Sequence, residues 1–104
     1  MTAYTLARWH VKEGREDDFV AAWTGVLGAY FSTLPGVGRG TLIRSVEDPR
    51  IFYSFGPWDS LDDIANMRAK PETQEVFAAM AEVCDEMTPG AYELVAGAGA
   101  DDPE

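Results

Sequence analysis

The chain contains one cysteine and one histidine in 104 residues. Cys84 alone cannot close an internal disulfide, and with His10 the only imidazole, no group of His, Cys and carboxylate stands at a metal-ligand spacing. The sequence therefore predicts no metal site. Basic residues are also scarce, with eight Lys plus Arg against eighteen Asp plus Glu and a formal net charge of −10. Nucleic acid, which needs a basic footprint, is excluded as a partner, and anionic membrane surfaces and polyanions are disfavoured. No apolar run approaches the roughly 20 residues of a membrane span, and the start shows no basic segment leading into an apolar one. A cytoplasmic protein is expected.

What is present is patterned. Ala3 to Lys12 is rich in aromatic and β-branched residues, and reads as a strand that Gly14 ends. Its alternation puts Thr5, Ala7, Trp9 and Val11 on one face and Tyr4, Leu6, Arg8 and His10 on the other. From Arg15 the period changes: Phe19, Trp23, Val26, Leu27, Tyr30 and Leu34 make one helical stripe, with Glu16, Asp17 and Asp18 in the first turn and Pro35-Gly36 as the stop. Gly38 to Val46 and Ile51 to Phe55 read as strands. The turn residues Glu47-Asp48-Pro49-Arg50 join them in an antiparallel hairpin.

Gly56-Pro57 is expected to end the third strand and present Trp58 at its mouth. Ser60 then caps a helix over about Leu61 to Ala69, with Asp63 at the third helical position. Pro71 opens another helix, whose stripe of Val76, Phe77, Met80, Val83, Cys84 and Met87 predicts helix up to Pro89-Gly90. Ala91 to Ala96 reads as a fourth strand. One domain over 1–97 with an acidic tail at 98–104 is expected.

Strand, helix, strand, strand, helices, strand is the ferredoxin-like βαββαβ order. It predicts an α+β fold with a four-stranded antiparallel sheet, helices on one face, and the first and third strands central. The other face, with Leu6, Ile51, Tyr53 and Phe55, is left bare. An apolar patch of that size predicts a homodimer with sheets packed face to face. Gly36-Val37-Gly38-Arg39-Gly40 precedes a strand instead of opening a helix, so it is no dinucleotide loop.

Trp9-x-Val11-x-x-Gly14, Phe19, Trp23, Pro35-Gly36, the run Arg44 to Pro49, and Trp58-Asp59-Ser60 together resemble the antibiotic biosynthesis monooxygenase family of the dimeric α+β-barrel superfamily, over residues 3 to 96. Some members of that family oxygenate polycyclic anthrones without metal or flavin, and others degrade haem; both place a Trp where Trp58 stands. The haem degraders carry an Asn where this chain has Ala7 and a His where it has Met67 or Arg68, so the resemblance argues against haem degradation. The anthrone oxygenases carry an Asn at the position of Ser54 and a Tyr at that of Ile64.

The resemblance thus implies a cofactor-independent monooxygenase acting on a small aromatic, polyketide-type substrate. The alternative is a non-oxygenase of the same fold, a binding module or an isomerase or cyclase. An open apolar cleft would favour chemistry, and a cleft filled by its own side chains a non-catalytic role. Trp58, Ser54 and Arg68 are the candidate catalytic residues: a ring wall, a hydrogen-bond donor and a cation for an enolate. Trp9, Phe52 and Tyr30 are the candidate substrate-binding residues. Trp23 and Met67, Met80 and Met87 read as core. His10, opposite Trp9, belongs to the bare face.

Overall fold

The computed structural model describes residues 2–100. The four strands are β1 (Ala3–Val11), β2 (Thr41–Arg44), β3 (Ile51–Trp58) and β4 (Cys84–Glu93), in one antiparallel sheet of order β2-β3-β1-β4. The aromatic-rich β1 and β3 are central, as their two-faced apolar sequences require. Part of the expected acidic tail lies outside the described residues.

The first helix is continuous from α1 (Glu16–Ala22) through a π-helical segment (Trp23–Gly28) to α2 (Ala29–Phe31). Its hydrogen bonds reach one residue further in the wide segment, so each residue advances less around the axis. The apolar stripe is displaced accordingly. Leu27 and Leu34 are buried, Val26 is 45% exposed, and Phe31 instead of Tyr30 meets the sheet side. Pro35-Gly36 stops the helix as expected. Gly36 has φ +82°, and a Cβ there would collide with the Asp63 carboxylate. Ser60 caps α3 (Leu61–Ala69) by accepting from Asp63 N at 3.1 Å. Pro71 opens α4 (Pro71–Ala81).

Two strands run through prolines: β3 extends beyond its expected end, while β4 starts well before Ala91 and stops at Glu93, short of Ala96. β3 continues past Gly56-Pro57 to Trp58. The N and C=O of a residue in an antiparallel strand face the same neighbour. The Pro57 carbonyl accepts from Gly38 N at 2.8 Å, so its missing N–H also faces that side, beyond the end of β2. β4 begins at Cys84, so Val83, Cys84 and Met87 are not helical. Leu94 N donates to Thr2 O at 3.0 Å, and by alternation Pro89 turns its nitrogen to the open edge of the sheet. A register shift between His10 and Val11 absorbs Asp85, and Arg50 ties this corner by bonds to Val11 O (2.9 Å) and Asp85 (2.7 Å).

The helices cover one face, on which Trp9, Phe52, Ala7, Ser54, Thr5, Gly56, Ala3 and Trp58 pair across β1 and β3. The other face carries Leu6, Ile51, Tyr53, Phe55, Ile43 and Tyr92. Of these, Ile43 (51%) and Tyr92 (53%) are the most exposed large side chains. The core forms two clusters, one around Trp9, Phe19, Phe52 and Met80, the other around Trp58, Leu34, Ile64 and Met67.

Candidate functional site

The two central strands cross their indoles and hydroxyls. Trp9 on β1 donates its Nε1–H to Ser54 Oγ on β3 at 2.9 Å, and Trp58 on β3 donates to Thr5 Oγ1 on β1 at 3.1 Å. Each bond joins a residue to the diagonal neighbour across the strand pair, since Trp9 stands opposite Phe52 and Trp58 opposite Ala3. Alternation makes this arrangement possible: all four side chains share the helix-covered face. Both rings are almost fully buried, and their N–H groups are paired, as buried indoles require.

Above this floor lie two adjoining cavities of about 360 Å³ each. Thr5, Ser54, Leu27 and Phe31 line both, so the hydroxyls and the Phe31 ring stand where the two spaces meet. Trp58 and Trp23 border the first, under the π-helical segment. Trp9, Phe77, Met67 and Arg68 border the second, under α3 and α4. Phe31 meets Trp58 edge-on at 5.6 Å and Phe77 at 6.1 Å, and Phe77 lies nearly parallel to Trp9 at 6.2 Å. An aromatic wall therefore runs from one indole to the other.

The walls are apolar, and among the described residues no Asp, Glu or His lines either cavity. The charged side chains there are Arg39 at the first and Arg68, exposed, at the second. The Trp23 indole N–H is buried with no protein acceptor among the described residues. No group of three or more His, Cys, Asp or Glu among those residues could hold a metal ion.

Of the six candidate residues, Trp58, Ser54, Trp9 and Arg68 border the cavities. Phe52 and Tyr30 line neither. Phe52 packs against Phe19 with ring centroids 4.8 Å apart, beneath the Arg44 guanidinium at 5.0 Å. Tyr30 is turned away by the π segment. Thr73 gives its hydroxyl hydrogen to Met67 O at 2.6 Å, so Tyr30 is the donor in its own 2.6 Å bond to Thr73. That chain fastens the first helix to the turn between α3 and α4. Trp23 packs on the core and also borders the first cavity.

Sequence reasoning missed Thr5, Phe31 and Arg39. Thr5 was legible through alternation, since it shares a face with Trp9. Phe31 was not, because it depends on the π segment, and Arg39 sits in a loop with no period to read.

The antibiotic biosynthesis monooxygenase family profile matches residues 2–82. Among solved structures, SnoaB, a cofactor-independent oxygenase from Streptomyces nogalater, superposes with a TM-score of 0.82 at 19% identity, over 92% of this chain and 95% of that one. A protein from Bordetella bronchiseptica assigned to the same family gives 0.79 at 24% identity, over 91% and 98%. One from Deinococcus radiodurans gives 0.79 at 13%, over 96% and 99%. No curated protein sequence matches the chain. These likenesses establish the fold; with a family profile spanning most of its length, the chain belongs to the antibiotic biosynthesis monooxygenase family.

Proposed function

We propose that this protein is a cofactor-independent monooxygenase of small, flat, enolisable aromatic molecules of the polyketide type. The observation that carries the reading is the open apolar cleft beside Trp58, floored by two hydroxyls that are hydrogen-bonded to indoles. Ground-state oxygen reacts slowly with closed-shell molecules, so the substrate must first become an electron-rich enolate or carbanion. That anion passes an electron to oxygen, and recombination gives a peroxide that loses water. A ring CH₂ becomes C=O, with one O₂ consumed and one H₂O released.

The protein's part is to stack the rings, exclude water and stabilise the oxyanion. Phe31 and Phe77, half-buried in the cavity walls, supply apolar ring surface for stacking, with the buried Trp58 and Trp9 rings packed behind them. Ser54 lines both cavities with a hydroxyl to offer, and Arg68 stands at the rim of the second. The active unit is a homodimer joined through the bare sheet face. Exposed Tyr53, Ile43 and Tyr92, with Leu6 and Phe55, form a patch too apolar to be left to water.

Oxygen uptake by purified protein, stripped of metal and flavin and given an anthrone, tests the reaction. Turnover above the spontaneous rate is expected. Its absence, with the anthrone still bound, would transfer the site to the rival reading of an isomerase, cyclase or binding module.

A further inference from the structure

The net charge of −10 makes the cleft's lining unusual: no carboxylate or imidazole borders either cavity among the described residues, and the ionised side chains there are the cations Arg39 and Arg68. A cleft that removed a proton by itself would need a basic side chain within hydrogen-bond reach of the ligand. None is present. What the cleft does offer is donors.

Thr5 Oγ1 and Ser54 Oγ each accept an indole N–H, from Trp58 at 3.1 Å and from Trp9 at 2.9 Å. A hydroxyl has one hydrogen and two lone pairs. With a lone pair held by the indole, its remaining hydrogen is directed elsewhere, and accepting a hydrogen bond polarises it as a donor. Neither hydroxyl donates to a protein atom among the described residues, and both face the two cavities. They are diagonal neighbours on one sheet face, roughly 7 Å apart or somewhat less, within reach of one ring system.

We infer that Thr5 and Ser54 form a paired donor site for the oxygen of an ionised hydroxyaromatic or enolate, with Trp58 and Trp9 as the positioning residues that orient the two hydroxyls. Ligand ionisation is then driven by preferential binding of the anion. Arg39 and Arg68 reinforce that preference from the two ends, since hydrogen bonds and nearby cations both favour the charged form of an acid. The inference rests on the proposed function for its substrate class. It differs in naming the ionisation state that is bound, and in assigning a role to Thr5.

The test is an anaerobic spectrophotometric titration of 1,2-dihydroxyanthraquinone, an oxygen-stable tricyclic whose neutral and ionised forms differ in colour, free and bound to the protein. The bound dye is expected to ionise about one pH unit lower than the free dye, a tenfold preference for the anion. T5V combined with S54A should abolish most of that shift, leaving only the part that Arg39 and Arg68 supply. W9F and W58F, which keep an aromatic ring but lose the N–H, should each remove part of the shift, a readout that a merely structural role would not move.

An unshifted or raised bound pKa, or no binding at all, would overturn the inference. A lowered pKa without oxygen uptake on an anthrone would leave the anion site standing and remove the oxygenase. Oxygen uptake with an unshifted dye would do the reverse.

Discussion

The two faces of the sheet are built from the same two central strands, yet they solve different problems. The covered face pairs each polar atom it buries: Trp9 with Ser54, Trp58 with Thr5. The bare face presents Ile43, Tyr53, Phe55 and Tyr92. Its Arg8–Glu86 pair, 3.8 Å apart and exposed, contributes little. One face is organised by hydrogen bonds between aromatic and hydroxyl side chains, which fixes directions. The other is organised by area alone, which fixes only that something should cover it. Direction suits a site, and area suits an interface.

Truncation should separate these roles. The largest effect is expected for Trp9→Ala, which removes a fully buried ring between Phe19 and Phe77 and strands the Ser54 hydroxyl. A loss of about 3–5 kcal/mol is expected in urea unfolding; a loss below 1 kcal/mol would show that the covered face is not the core. Next comes Tyr53→Asp on the bare face, expected to raise the dissociation constant of the proposed dimer about a hundredfold in sedimentation equilibrium. A wild-type protein that sediments as a single subunit would remove the interface altogether.

Gly36→Ala should destabilise by roughly 1–3 kcal/mol, because φ is +82° and the Asp63 carboxylate occupies the space of a Cβ. Thermal melting against the wild type measures it, and it affects the cavity rim without touching the bare face. The smallest effect is at Cys84, buried in the corner where β4 begins. Burial first, and the Asp85 carboxylate second, push its thiol above the ordinary value, with Lys12 opposing. Since the thiolate is the nucleophile, alkylation of the folded protein should be slow at pH 7. Its rate should rise with pH later than that of the unfolded chain. Alkylation at the same rate before and after unfolding would place Cys84 on the surface.

Much of this architecture was legible in the residues. The alternation in β1 assigned its faces, the Ser60–Asp63 cap marked α3, and the position of aromatic residues identified the central strands. The misreadings have physical causes. Val83, Cys84 and Met87 fit a helical period as well as they fit a strand, and sequence offers no sign that α4 stops at Ala81. Pro57 looked like a strand breaker and Pro89 like a helix stop, but both lie within strands, and each turns its missing donor to a side where no partner strand needs it. The cleft was legible through Trp58 and Ser54. Tyr30 was placed in it by a 3.6-residue period that the chain abandons between Trp23 and Gly28.

That departure from regular winding has a practical corollary. One surplus residue in the coil acts like a gear set one tooth forward, and it chooses which aromatic ring divides the chamber. Deleting a residue there would re-index the whole downstream half-turn and merge or reshape the two compartments without altering a single side chain on the floor. The chamber's shape is thus adjustable by backbone length alone, independently of the chemistry beneath it.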